Sequence, residues 1–142
     1  MKLVQHLLDS KGSNVISIEP DCSVLDAIKL MAEKGIGSLV VMEGDKLVGI
    51  LSERDYARKV ILKGRASDST PVADIMTPDV VTTTPAATID DCMKIMTDRK
   101  CRHLPVVDGE TVVGVVSIGD LVQAIIADQK AEIEQLEHYI SG

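Results

Sequence analysis

An α/β fold of the α+β kind is predicted for this 142-residue chain: two β-α-β-β-α repeats packed with pseudo-twofold symmetry, plus terminal helices. The first supporting observation is internal repetition at an offset of 65 residues without a gap, in which Gly49, Ser52 and Asp55 recur as Gly114, Ser117 and Asp120. The match is wider than this motif, since Val15, Pro20, Asp26, Met31, Leu39, Val41 and Val48 recur as Val80, Pro85, Asp91, Met96, Leu104, Val106 and Val113. The second is an apolar content of 45%, enough for a core, in a chain without Phe or Trp. The third is that helix-spaced apolar residues alternate with short apolar runs. A repeat this short buries too little surface to be comfortable alone, so the copies are expected to pack on each other and form equivalent clefts.

Val4, Leu7 and Leu8 share one face of a short first helix that ends in the polar stretch from Asp9 to Gly12 and covers the core of a repeat. Val15 to Ile18 reads as a strand closed by Pro20 and Asp21. Ser23 then caps a helix with Ala27, Ile28 and Met31 on one face, stopping near Gly35. Leu39 to Met42 and Leu47 to Leu51 flank the turn-forming Glu43, Gly44, Asp45 and Lys46, a buried hairpin. Ser52 opens a second helix carrying Tyr56, Val60 and Ile61 and ending at Gly64. The polar Arg65 to Pro71 is the expected linker. The second copy brings a strand at Val80 to Thr82, a helix from Thr88, a hairpin turning at Asp108 to Glu110, and a final helix longer than its counterpart. The expected domains are residues 1–64 with the N-terminal helix, a linker at 65–72, a second domain at 73–127 and a helical extension at 128–142. In that extension Ile133, Leu136 and Ile140 form a narrow apolar stripe, which suits either another chain or the chain's own domain.

A formal net charge of −7 opposes binding to nucleic acid or to an anionic bilayer. No apolar run approaches the roughly 20 residues of a membrane span. Cys22, Cys92 and Cys101 lack C-x-x-C spacing, and the first residues lack the apolar core of a signal peptide, so a cytoplasmic location is expected. His6, His103 and His138 are not at ligand spacing, and no metal site is expected.

The repeated Ser-x-x-Asp follows a strand and opens a helix, where backbone N–H groups lack intrahelical partners. One reading is a capping box, with the Ser taking the third helical amide and the Asp reaching back to the cap amide. The other is a nucleotide site, with phosphate at the helix N-terminus and the Asp accepting from the vicinal ribose hydroxyls. Recurrence in register, the Gly49 and Gly114 of the preceding strands, and the nearby Arg54, Arg102 and His103 favour the second. Arg58 and Lys59 read as a solvated helix face, Cys101 as a small buried apolar residue, and Met31, Met93 and Met96 as core.

The segments VGILSERD and VVGVVSIGD, with IMTPDVVTTTP and RHLPVVD, resemble a tandem pair of cystathionine β-synthase (CBS) domains, or Bateman module, over about residues 11–127. SERDYARKVIL is similar to small stand-alone bacterial members, often grouped with the regulatory part of inosine monophosphate dehydrogenase. The resemblance implies a regulatory module, not an enzyme, that binds AMP first, then ATP, ADP or NAD, or an S-adenosyl compound, in two clefts, with no required cofactor. Each cleft would join the Ser-x-x-Asp of one copy to the opening segment of the other. One would use Ser117 and Asp120 with Lys11, Asn14, Ile16, Ile36, Gly37 and Ser38. The second would use Ser52, Arg54 and Asp55 with Met76, Thr77, Val81, Cys101, Arg102 and His103. Adenine would lie among aliphatic side chains such as Ile16, Ile36 and Val81. A homodimer signalling by shape or association, and acting on a separate regulated protein, is implied. The rivals are a structural dimerisation module without ligand and a dehydrogenase, the latter disfavoured because a catalytic barrel needs about 200 residues or more.

Overall fold

The computed structural model describes residues 2–12 and 14–141, and the side chains of all of these but Ser141. In chain order the elements are α1 (Val4–Lys11), β1 (Ser17–Ile18), α2 (Val24–Lys34), β2 (Ser38–Glu43), β3 (Lys46–Ser52) and α3 (Glu53–Tyr56). They continue with α4 (Ile89–Arg99), β4 (His103–Asp108), β5 (Thr111–Ser117) and α5 (Ile118–Ser141). A π-helical turn at Ala57–Ile61 extends α3, and a 3-10 turn occupies Val72–Asp74.

The chain divides into two compact units. One comprises residues 14–81 with 109–112, the other residues 1–13 with 82–108 and 113–142. The first helix therefore packs with the second copy, whereas sequence order alone had placed it with the first. Its anchors are the Val4 amide donating to Ala87 O at 2.9 Å, the Ile89 amide donating to Lys2 O at 3.1 Å, and buried Val4 and Leu8. Reciprocally, the segment before the second copy belongs to the first copy's unit: the Val72 amide donates to Cys22 O at 2.8 Å and the Ala73 amide to Pro20 O at 2.9 Å. The copies thus exchange their lead-in segments.

In the unit built on the first copy, β2 pairs antiparallel with β3 and parallel with β1, giving the order β1-β2-β3. Gly44 takes φ 62° in the tight turn of this hairpin. The core gathers Ile18, Val24, Ala27, Met31, Leu39, Val41, Leu51 and Val60, closed by Val72 and Ile75 from the lead-in. Ser23 caps α2 by accepting from the Asp26 amide, and Gly35 ends it at φ 65°. The linker is tied to this helix, since the Val24 and Leu25 amides donate to Thr70 O at 2.8 Å and Ser67 O at 2.9 Å. Two otherwise orphaned helical donors are satisfied there.

The second copy repeats this plan. Ile89, Cys92, Met96, Leu104, Val106 and Val116 are buried at the positions of Val24, Ala27, Met31, Leu39, Val41 and Leu51. Cys92 therefore fills an alanine's place, and burial pushes its thiol pKa up, against the lowering effect of a Thr83 hydroxyl 3.3 Å from its Sγ. The strand expected at Val80 to Thr82 does not form. Only Thr83 pairs, with Val106, through its amide to Pro105 O at 3.0 Å and its carbonyl from the Val107 amide at 2.8 Å. The next parallel bond toward the N-terminus would need an amide hydrogen on Pro105, which proline lacks. At the equivalent Val40 the donor exists, and β1 reaches two residues.

Candidate functional site

Each Ser-x-x-Asp sits where the last strand of a hairpin runs into a helix. Ser52 ends β3 before α3, and Ser117 ends β5 before α5. In the first copy the Ser52 amide and hydroxyl both donate to Asp55 Oδ2 at 3.0 Å, and the Asp55 amide donates to Ser52 Oγ at 3.2 Å. In the second the Ser117 amide donates to Asp120 Oδ2 at 2.9 Å and the Asp120 amide to Ser117 Oγ at 3.1 Å. Both motifs form the reciprocal box. The first helical amides are also occupied: Glu53 N donates to Gly37 O at 3.1 Å and Ile118 N to Arg102 O at 2.8 Å.

The surroundings of the two carboxylates differ. Lys11, at the C-terminus of α1, donates from Nζ to Asp120 Oδ2 at 2.6 Å and to Val115 O at 2.8 Å. Both of these hydrogen bonds, from Lys11 Nζ and from the Ser117 amide, converge on Asp120 Oδ2, and the Ser117 hydroxyl also favours the charged carboxylate. Burial raises the Asp120 pKa, but the Lys11 ammonium and the Ser117 amide outweigh it, so the net effect is a carboxyl held below its usual range. In the first copy the position equivalent to Lys11 is Met76, which lies against Gly49; a Cβ there would come within 2.5 Å of Met76 Sδ. The cation near Asp55 is instead Lys59, whose Nζ lies 3.3 Å from Asp55 Oδ1 and donates to Ile75 O at 3.0 Å. Lys59 is therefore not a merely solvated residue. The Asp55–Lys59 spacing of four, typical of helical ion pairs, is the signal that could have found it.

The backbone carries a parallel difference. Thr77 pairs with Ile50 in both directions, its amide donating to Ile50 O at 2.9 Å and its carbonyl accepting from Ile50 N at 3.0 Å. Val115 O, the counterpart of Ile50 O, accepts from the Lys11 ammonium. Gly114 is crowded by Leu8, whose Cδ2 would lie 2.6 Å from an added Cβ. Glycine at both strand positions lets a lead-in segment approach closely.

The remaining expected site residues fall as follows. Ile16 and Ile36 pack on the core of the first copy's unit, with Met76. Ser38 is buried and pairs with Ser52, which with the Gly37 bond seats both residues at the motif of their own copy. Arg102 likewise reaches the Ser117 motif of its own copy, through its carbonyl. The resemblance groups Gly37 and Ser38 with Ser117 and sets Arg102 near the phosphates of the Ser52 cleft, leaving open which cleft Arg102 favours. Arg54, Asn14 and Thr77 are exposed, and Val81 and His103 are half-buried. Cys101 is half-buried, and burial pushes its thiol pKa up, opposed by its backbone hydrogen bond and by Arg99. No helix among the described residues is long and apolar enough to cross a membrane.

Two stretches, residues 10–62 and 72–127, match the CBS domain model. The chain belongs to the CBS domain family. As a tandem CBS pair it is 39% identical over 148 residues to the CBS domain-containing protein CBSX3, mitochondrial, of Arabidopsis thaliana, covering 98% of this chain and 72% of that one. A CBS-domain protein of Burkholderia ambifaria superposes with a TM-score of 0.87 at 49% identity, covering 90% of this chain and 96% of the other. The CBS domain pair of protein MJ0100, solved with 5′-methylthioadenosine and S-adenosyl-L-methionine, superposes with a TM-score of 0.81 at 25% identity, covering 90% and 98%.

Proposed function

We propose that this CBS pair is a regulatory binding module for an adenosine-bearing ligand and that the Ser117–Asp120 motif with Lys11 is its principal recognition element. The observation that carries the reading is the state of Asp120: its carboxyl is held below its usual pKa range and pinned through Oδ2 by Lys11 and the Ser117 amide, which presents a fixed carboxylate to a ribose diol. A carboxylate suits a vicinal diol because it accepts two hydrogen bonds without rearranging. Lys11 adds a cation beside it, which favours a ligand that also carries phosphate, AMP before ATP, ADP or NAD. The ligands of the MJ0100 pair share the adenosine part of this chemistry. Binding is the activity; the ligand shifts shape or association to the extent that it prefers one arrangement over another.

The structural-module reading rests on one observation, the closed Ser52–Asp55 box, in which both carboxylate oxygens already have partners. Thermal unfolding of the chain against AMP, ADP, ATP, NAD and S-adenosylmethionine separates the two. Ligand at about 100 times its Kd adds about 2.7 kcal/mol to the folded state. The expected result is a melting shift with at least one of these, abolished by Asp120→Ala and largely kept by Asp55→Ala. Lys11→Met should weaken AMP more than S-adenosylmethionine. No shift with any of the five would leave the structural module as the reading.

A further inference from the structure

The carboxylate of the second copy is fixed by a segment that is itself lightly held. Helix α1 crosses the start of α5 antiparallel to it: Lys11 at its C-terminus donates to Asp120 in the first turn of α5, and Lys2, just ahead of its first turn, lies 3.6 Å from Asp128. The spans agree, since the eight residues of α1 and the eight steps from Asp120 to Asp128 each rise about 12 Å. Between these end contacts Val4 and Leu8 are buried, and the other residues of the helix are half-buried or exposed. The Val4 amide donates to Ala87 O at 2.9 Å and the Gln5 amide to Pro85 O at 3.0 Å. After Lys11 the chain turns at Gly12, at φ 94° and ψ 160°, a conformation essentially confined to glycine.

A helix of eight residues has no stability of its own, so α1 is helical to the extent that it is docked. An element held by two buried side chains and exposed end contacts opens before the core does. Opening has a direct consequence at the site. The Ser117 amide stays with Asp120, but the Lys11 ammonium leaves with the helix, and with it go the second hydrogen bond that fixes Oδ2 and the cation that would face a phosphate. Docking of α1 and the ligand-ready state of Asp120 are therefore one event.

We propose that α1 is a strap coupled to the ligand: the Ser117–Asp120 site is competent while α1 is docked, so binding clamps α1 and release of α1 empties the site. This rests on the binding reading above and adds the element through which binding is read out. Val4 is then a positioning residue that acts through Lys11, two helical turns away. Linkage makes the coupling reciprocal, because the factor by which docking raises affinity is the factor by which saturating ligand favours docking. The test is amide exchange followed by NMR on the whole chain, with AMP at about 100 times its Kd. In the free chain the Val4 and Gln5 amides, which report docking directly, should exchange faster than the buried α4 amides around Cys92. AMP should slow them at least tenfold, with about 100-fold as the ceiling reached when the open form does not bind at all. Val4→Asp, which sets a carboxylate in a fully buried position, should open α1 and weaken AMP binding by the same factor. Adding Lys11→Met to Val4→Asp should weaken it no further, and additive losses would overturn the proposal. So would exchange of the Val4 and Gln5 amides in step with those of α4, or AMP binding that leaves their exchange unchanged; the latter would leave the binding reading standing. Absence of binding by both AMP and S-adenosylmethionine would remove the reading and the strap together. If Val4→Asp does not fold, exchange in the wild-type chain decides alone.

Discussion

The two copies are built to one plan and differ most in what the exchanged lead-in segment brings to each Ser-x-x-Asp. To the first copy it brings a backbone: Thr77 pairs with Ile50, Met76 covers Gly49, and the cation comes from Lys59 on the same helical run as Asp55. To the second it brings a helix end, and the Lys11 ammonium takes the carbonyl that Thr77's amide takes in the other copy, while also gripping Asp120. A local cation leaves Asp55 saturated on both oxygens. A cation delivered from 109 residues away converges with the Ser117 amide on the one oxygen Oδ2 of Asp120. Duplicated motifs can thus diverge in chemistry without changing a residue of the motif's Ser and Asp, because the neighbouring segment decides which groups remain available.

The sharpest way to break the comparison is at the glycine approach. Leu8 is buried to 4% exposure against Gly114, so Leu8→Ala should cost about 2–5 kcal/mol, whereas Met76→Ala, at a half-buried position, should cost less. Gly114→Ala alone should cost about 1–3 kcal/mol through overpacking. Because the obstructing atom is the end of the Leu8 side chain, the Leu8→Ala, Gly114→Ala double variant should be more stable than the sum of the singles implies. Urea unfolding of the four proteins measures this, and strict additivity would show that the two residues do not meet.

A smaller effect is expected at the carboxylates, and it depends on pH. The Asp120 pKa is lowered in the folded chain, so its stabilisation is complete above the unfolded carboxyl's value of about 3.9 and is lost as pH falls through the lower folded value. Asp120→Asn should cost about 1–3 kcal/mol at neutral pH and flatten the acid side of the stability profile. Lys11→Met should move that profile in the same direction. Equal acid slopes for wild type and Asp120→Asn would remove Lys11 as the group that keeps Asp120 ionised.

The smallest expected change is at the helix ends. Gly35 terminates α2 at φ 65°, while its counterpart Lys100 terminates α4 at φ 54° with a Cβ that this conformation disfavours. Lys100→Gly should therefore raise stability by about 1 kcal/mol or less, and Gly35→Lys should lower it by about 1–2 kcal/mol. Melting temperatures of the two variants, moving in opposite directions, check the asymmetry.

Most of the fold was legible because it was written twice. The hairpins, the Ser23 and Thr88 caps, and the buried positions from Val24 and Ile89 onward follow from turn residues, capping residues and apolar spacing that recur in register. What a linear reading missed was set by partners distant in sequence. Nothing within Val4–Lys11 says which copy it covers, and nothing near Val80 says that Pro105 will withhold the amide a second bridge would need. At the site, Ser52, Asp55, Ser117 and Asp120 were evident from the repeat. The role of Lys59 was hidden by its place on a charged helical stretch, although its spacing from Asp55 pointed to it.

The exchange of lead-in segments also sets an order of events during synthesis. Residues 14–81 form a nearly continuous unit and can assemble while the rest of the chain is still being made. The first helix emerges well before the sheet it packs on, which is complete only after β5 has left the ribosome, about 100 residues later and, at 5–20 residues per second, several seconds on. An eight-residue helix does not persist alone for that time. Lys11 is thus translated 109 residues before the carboxylate it meets, so the second copy's carboxylate site is completed only after Asp120 has left the ribosome.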